Sequence, residues 1–307
     1  MHGMSAFAGY RARMLQTKTP RRGTIRLTRR GRIALIATGA VAAVTAVTVP
    51  LLLPDDSARP ESLTIPEGWR SGQVYGAVDK ALGVPTGTTK KAIPKAGLKL
   101  PSDAGGNPEG YLFPATYPIS NQSTPASVLS YMVNTAAKKF SGGQVTAGAD
   151  RNAVNVYQTV TIASMIEAEA GSKADMGKVA RVIYNRLDQG MPLQMDSTIN
   201  YALNRSTLNT RDRDTKINSP YNTYTRMGLP PTPIGNPGDE AMRAATSPTQ
   251  GDWLYFVTVK PGDTRFTSSF EEQQKNVAEF NKNKNKSKND DNDENKDENK
   301  DESKQDG

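Results

Sequence analysis

The chain has 307 residues, no cysteine, one histidine and a formal net charge of +8. Without cysteine it forms neither disulfides nor thiolate metal sites, and with His2 as its only histidine, outside any plausible core, it can build no Ser-His-Asp triad, no Cys-His pair and no histidine zinc site. Carboxylates are the favoured acid–base groups for an enzyme of this composition, and neither a metal nor a cofactor is expected.

The charge is unevenly placed. Residues 1–32 carry nine Arg and Lys and no acid, whereas residues 281–307 carry seven Lys against nine acids. The segment between them is close to neutral, so the basic excess belongs to the leading segment and gives no argument for a nucleic-acid partner.

From Ile33 to Leu53 no residue is charged, a run that as a helix matches the roughly 30 Å hydrocarbon core of a bilayer. Arg29, Arg30 and Arg32 precede it and Asp55 and Asp56 come after it, which orients a single span with its N-terminus cytoplasmic. A cleaved signal peptide is the competing reading, but its apolar region is normally about 7–15 residues. A retained anchor is the expectation.

Ser62 to Ile65 reads as a strand, Pro66-Glu67-Gly68-Trp69 as a turn and Val74 to Leu82 as a short helix stopped by Gly83. The stretch 84–107 is rich in Gly, Pro, Lys and Thr and offers little core of its own, so this module should lean on the domain that begins near Glu109. Gly110 to Ile119, with three aromatics and two prolines, is expected to be extended and irregular; its aromatics either pack or touch a ligand. Thr124 caps a helix with Pro125 in its first turn, running to about Phe140 before a glycine-rich loop.

The spacing predicts a helix from Val154 to Ala170 that keeps two carboxylates, Glu167 and Glu169, in an otherwise apolar and small-residue run. Burying a charge is costly, so such a run holds an acid for a reason. On a helix Glu167 shares a face with Ala163, Ser164, Ala170 and Gly171, small residues that let a ligand approach. Glu169 lies roughly 200° further round, beside Met165 and Ile166, so the two acids cannot act as a pair on one face.

Ala174 to Leu187 is an amphipathic helix ended at Gly190, with Arg181, Asn185 and Arg186 on its polar side; one of these arginines could pair with Glu169. Leu193 to Tyr201 begins extended and offers Asp196 or Ser197 as a helix cap, with a substrate role for Asp196 as the alternative. Residues 204–218 form a polar loop. The stretches 219–224 and 228–233 are too rich in proline for regular structure and are candidate rims of a cleft. Asn236-Pro237 is expected to start a helix to about Thr246, Trp253 to Val259 to pair as a hairpin with Thr264 to Thr267, and Ser269 to Glu272 to form a capping box for a last helix to about Phe280. Beyond it nothing apolar remains, and the tail 281–307 is expected to be disordered.

Taken in order, Glu109-Gly110-Tyr111-Leu112-Phe113-Pro114, Ala163 to Glu169, Asn185-Arg186-Leu187, Leu193 to Thr198, Tyr221-Asn222-Thr223-Tyr224 with Gly228-Leu229-Pro230-Pro231, and Leu254 to Val257 resemble the endolytic murein transglycosylases, the YceG-like family. Thr64 to Trp69 resembles the family's Ile-Pro-Glu-Gly segment. The resemblance implies an α+β protein: a basic cytoplasmic segment (1–32), a single transmembrane helix (33–53), a linker and shortened LysM-like module (54–108), a mainly helical catalytic domain with a β-hairpin (109–280) and the charged tail (281–307).

The resemblance further implies that Glu167 is the catalytic acid and base. A lytic transglycosylase protonates the oxygen joining MurNAc to GlcNAc, passes through an oxocarbenium-like state, and lets the C6 hydroxyl of MurNAc attack its own C1. Activating no water, it does without a hydrolase's second carboxylate. Such an acid must hold its proton near neutral pH, which a small apolar pocket promotes. Gln194, Asp196, Thr198, Tyr221, Asn222, Thr223 and Tyr224 are then cleft residues for sugar hydroxyls and N-acetyl groups, with Glu169, Asn185 and Arg186 in support. Peptidoglycan strands would be the substrate, the membrane the place of residence and the cell-wall synthesis machinery a partner. An inverting hydrolase using Asp196 and a non-catalytic wall-binding scaffold are the rival readings.

Overall fold

A computed structural model describes residues 61–205 and 210–285, all of which fall within one unit. The expected basic segment 1–32, the expected membrane span 33–53 and the tail beyond 285 lie outside the described residues. Among the described residues no helix is long and apolar enough to cross a membrane.

The architecture is α+β and mainly helical, with two small antiparallel sheets. Strand β1 (Ser62–Thr64) pairs with β2 (Thr116–Pro118), setting Leu63 opposite Tyr117. Both are buried between exposed neighbours, the period of a ribbon with one face on the core. Ile65 lies past the strand but extends the pairing by one bond, its amide donating to Ala115 O at 2.9 Å.

The helices are α1 (Ser71–Leu82), α2 (Thr88–Ala92), α3 (Pro125–Phe140), α4 (Gly143–Arg151), α5 (Val156–Glu169), α6 (Met176–Asp188), α7 (Asp196–Ala202) and α8 (Asp239–Thr246), followed by β3 (Tyr255–Lys260), β4 (Asp263–Thr267) and a helix α9 over 270–285. Helix α5 is the axis: it is buried on nearly every side and packed by α4, α6, α7 and α8. Its start is a capping box, Asn155 Oδ1 accepting Gln158 N at 2.8 Å and Gln158 Oε1 accepting Asn155 N at 2.9 Å. Buried Thr159, Thr161 and Ser164 return their hydroxyls to carbonyls of the preceding turn, so the helix core tolerates them. One hydrophobic cluster runs from Leu63 and Val74 through Leu129 and Ile166 to Phe256.

Several elements differ from expectation. Helix α1 begins at Ser71, before Val74, with Gln73 Oε1 accepting Arg70 N at 3.0 Å. Within 84–107, the stretch expected to offer little core of its own, α2 forms because the Asp79 carboxylate collects the amides of Gly87 and Thr89 at 2.6 and 2.8 Å. The glycine-rich loop after α3 is the helix α4: a methyl on Gly148 would lie 2.5 Å from Thr246 Cβ, so glycine lets α4 close against α8. Neither Asp196 nor Ser197 caps α7, where Met195 holds that position, and α8 starts at Asp239 after a Gly238 cap rather than at Asn236. The hairpin of β3 and β4 has the expected pairing, with an irregularity between Thr258 and Lys260. Helix α9 passes the expected end at Phe280, tied to the hairpin by Arg265 on Glu279 at 2.7 and 2.9 Å and by Asn283 on Val259 O at 2.8 Å. The aromatics of 111–117 pack: Tyr111 and Phe113 both meet Phe140 edge-on, at 5.7 and 6.0 Å.

Candidate active site

Glu167 lies in the last turn of α5, half-buried, between deeply buried Ile166 and exposed Ala168. Its Oε2 accepts the amide of Gly238, the cap of α8, at 3.3 Å. One helical turn earlier, Ser164 Oγ accepts Ile234 N at 3.0 Å, so the small face of α5 ties down the loop leading into α8. A second wall comes from the Pro66 to Trp69 turn. Gly68, at φ 75°, presents its α-carbon to the Glu167 stem, where an added methyl would sit 3.4 Å from Cγ. That turn is fixed by Asn236, wholly buried, whose Nδ2 donates to Trp69 O at 2.7 Å while its Oδ1 accepts Leu112 N at 2.8 Å and its carbonyl accepts Gly68 N at 2.8 Å. Neither Asn236 nor the closeness of Glu67 and Gly68 to Glu167 was expected from the sequence; the glycine and proline punctuation of both loops was the only signal.

Glu169 points elsewhere. It is fully buried, and its Oε1 accepts the amide of Ser197 in the first turn of α7 at 3.1 Å. Arg186, also fully buried, donates to the carbonyls of Leu254, Pro192 and Leu193 and to Gln194 Oε1 at 2.7 to 3.2 Å, and burial pushes its guanidinium down to about 10. Asn185 Nδ2 bonds the carbonyls of Gly251 and Trp253. Helix α6 is thereby stitched both to the strap 192–194 and to the approach of β3.

The other candidates form one connected wall. Gln194 sits at φ 54°, its amide on Thr223 O at 2.9 Å. Thr223 Oγ1 accepts Met195 N at 3.0 Å and lies 2.9 Å from Thr198 Oγ1, while Asn222 Nδ2 bonds the carbonyls of Thr215 and Ile217. Thr198, Asn222 and Thr223 are buried, whereas Gln194, Asp196, Tyr221 and Tyr224 are half-exposed. Tyr224 OH donates to Asp196 Oδ1 at 2.5 Å. Burial pushes the Asp196 carboxyl up to about 6 against the opposing pull of the Tyr224 hydroxyl, and burial followed by the Asp196 charge pushes the Tyr224 phenol up.

Glu109 is a further buried acid. Its Oε1 accepts Ser71 N at 2.9 Å and its Oε2 the Tyr201 hydroxyl at 3.1 Å, and burial raises its pKa despite those bonds and the charge of Arg70. Arg70 lies over the Tyr201 ring, which touches Tyr221, whose hydroxyl is 2.8 Å from Thr232 Oγ1. This chain links the start of α1 to α7 and to both rim loops. Toward the N-terminal end of α5 a groove of about 530 Å³ opens between Tyr157, Gln158, Asn155, Asp103 and the loop 227–231. Among the described residues no group of three or more His, Asp or Glu side chains could hold a metal.

Glu167 is thus a half-buried carboxylate on a central helix, standing against a fixed glycine turn and a helix cap. The chain belongs to the YceG-like family, whose model matches residues 29–279. It is 39% identical over 178 residues to an endolytic murein transglycosylase of Bacillus subtilis, covering 57% of this chain and 49% of that one. A protein of the same name from Streptococcus pneumoniae is 34% identical over 250 residues, covering 73% and 45%. The chain thus spans about half the length of these relatives. The crystal structure of a yceG-like protein from Listeria monocytogenes superposes with a TM-score of 0.62 at 30% identity, covering 70% of this chain and 74% of that one.

Proposed function

We propose that the chain is a membrane-anchored endolytic peptidoglycan lytic transglycosylase. The observation that carries this reading is the half-buried Glu167 carboxylate against the Gly238 amide, in a chain related to proteins named endolytic murein transglycosylase. In this reading the Glu167 carboxyl gives its proton to the glycosidic oxygen as the bond to C1 of MurNAc breaks. The resulting carboxylate then takes the proton of the C6 hydroxyl as that oxygen bonds to C1, closing the 1,6-anhydro ring and restoring the acid. No water enters and no second base is needed.

Gln194, Asp196, Tyr221 and Tyr224 supply the half-exposed polar and aromatic groups that suit sugar hydroxyls and N-acetyl groups, while Thr198, Asn222 and Thr223 hold that wall in shape. The uncharged run 33–53 serves as the anchor and leaves the catalytic domain extracytoplasmic, 54–108 serves as the linker and shortened LysM-like module, and the synthesis machinery of the wall is the partner.

Digestion of uncrosslinked glycan strands followed by mass spectrometry tests the reading. Anhydro-MurNAc ends are expected from the wild type and none from Glu167→Gln, whose fold should be retained. Reducing MurNAc ends would overturn it in favour of hydrolysis, and full cellular function of Glu167→Gln would favour a scaffold.

A further inference from the structure

The acid of the Pro66 to Trp69 turn takes no part in the proton transfers assigned to Glu167. Glu67 is half-buried, and among the described residues its carboxylate has neither an ion pair nor a hydrogen bond. It lies against the cap of α8: a methyl on Gly238 would overlap both Glu67 Oε1 and its carboxyl carbon. The amide of that same Gly238 is the donor to Glu167 Oε2. One glycine therefore touches both acids, which places the two carboxylates within roughly 8 Å of each other, given ordinary bond lengths.

The placement is rigid. Gly68 N donates to Asn236 O at 2.8 Å, Asn236 N to Trp69 O at 2.9 Å, and Gly235 approaches so closely that an added methyl would lie 2.9 Å from Gly68 O. A half-buried carboxylate with no partner among the described residues, fixed beside the reacting acid, is placed for a ligand.

We propose that Glu67 is a second catalytic carboxylate, contacting the glycan at the reacting sugar and stabilising the positive charge that develops at C1 as the glycosidic bond breaks. The proposal rests on the transglycosylase reading and deepens it. Glu67 takes no proton and forms no bond; the proton transfer is done by Glu167. Only an interaction stronger in the transition state than in the bound substrate speeds the reaction, which a fixed negative charge beside an oxocarbenium-like centre provides.

The test compares the full-length chain in detergent with Glu67→Gln, Glu67→Asp and Gly238→Ala on defined glycan strands, recording kcat, KM, end-group chemistry and melting. Glu67→Gln is expected to lower kcat roughly 10–100-fold with KM within about threefold and melting unchanged. Glu67→Asp should recover part of the rate, and Gly238→Ala, which pushes the carboxylate aside without altering it, should lose it again. A Glu67→Gln variant that keeps the wild-type kcat overturns the proposal, as does one rescued no better by Asp than by Gln. Reducing ends from the wild type together with a dead Glu67→Gln would instead overturn the transglycosylase reading and leave Glu67 a catalytic carboxylate, now of a hydrolase.

Discussion

Glu169 accepts the backbone amide of Ser197 at 3.1 Å, so the second acid of α5 holds the first turn of α7 while Glu167, two residues away, accepts the amide of Gly238 at the start of α8. A fully buried carboxylate bonded to a helix start is a strong contact, and removing it leaves an amide unsatisfied. Glu169→Ala should therefore lower the unfolding free energy by about 2 kcal/mol or more. It should also slow cleavage, because Asp196 occupies the loosened turn. Glu167→Gln should lose cleavage with its urea midpoint unchanged. Equal midpoints for the two variants would contradict this division of labour.

Arg186 spends its guanidinium on three carbonyls and the Gln194 amide oxygen and stacks over Tyr255 at 5.2 Å. A lysine ammonium is a point donor and cannot span these directions. Arg186→Lys should cost about 2–3 kcal/mol of stability and, if Gln194 binds sugar as proposed, raise the KM for glycan, because Arg186 holds the 192–194 strap. Denaturant titration and initial rates check both parts, and a variant as stable as wild type would show that the fork is dispensable.

What was legible in the sequence is what local chemistry fixes. The Thr124 cap with Pro125, the largely apolar run of α5 and the strongly apolar first strand of the hairpin are signals within one element, and each element is found where expected. The opposition of Glu167 and Glu169 also came from helical geometry alone. The rest depends on residues distant in sequence. Helix α4 reads as a loop because its glycines are poor helix formers, and only contact with Thr246 shows Gly148 to be a packing residue. Helix α2 needs Asp79 of α1 as a remote cap. The Glu67 and Gly68 turn looked like part of a separate module, and its closeness to Glu167 is made by Asn236, more than a hundred residues on, through bonds that no periodicity announces.

Asn236 should accordingly be intolerant of change. Its side chain satisfies Trp69 O and Leu112 N in a site without solvent. Asn236→Ala should cost about 1–3 kcal/mol, since the buried Leu112 amide loses its partner, whereas Trp69 O keeps the bond from the Asn236 backbone amide. Asn236→Asp keeps the acceptor for Leu112 but sets an oxygen against the Trp69 carbonyl, and should lose cleavage as the turn swings away from Glu167. Hydrogen exchange should show the amides of Gly68 and Leu112 opening first. Unchanged protection there would mean that β1 and its neighbours hold the turn without Asn236.

The Asp196 carboxyl titrates at about 6 because burial outweighs the help of the Tyr224 hydroxyl, so the folded protein holds a proton that the unfolded chain, near 3.8, has already released. Between those values the native state binds more protons than the unfolded state, and this group's contribution to stability falls as pH rises. It is fully favourable below about pH 4 and fully lost above about pH 6. Asp196→Asn removes the titration and keeps an acceptor for Tyr224. The stability of Asp196→Asn relative to wild type should therefore improve by roughly 2–3 kcal/mol on going from pH 4 to pH 7, the rise lying between those two pKa values. Parallel unfolding titrations of the two proteins measure it. A difference that stays flat across that window would mean that the carboxylate is solvated in the folded state and that Tyr224 holds an ordinary surface acid.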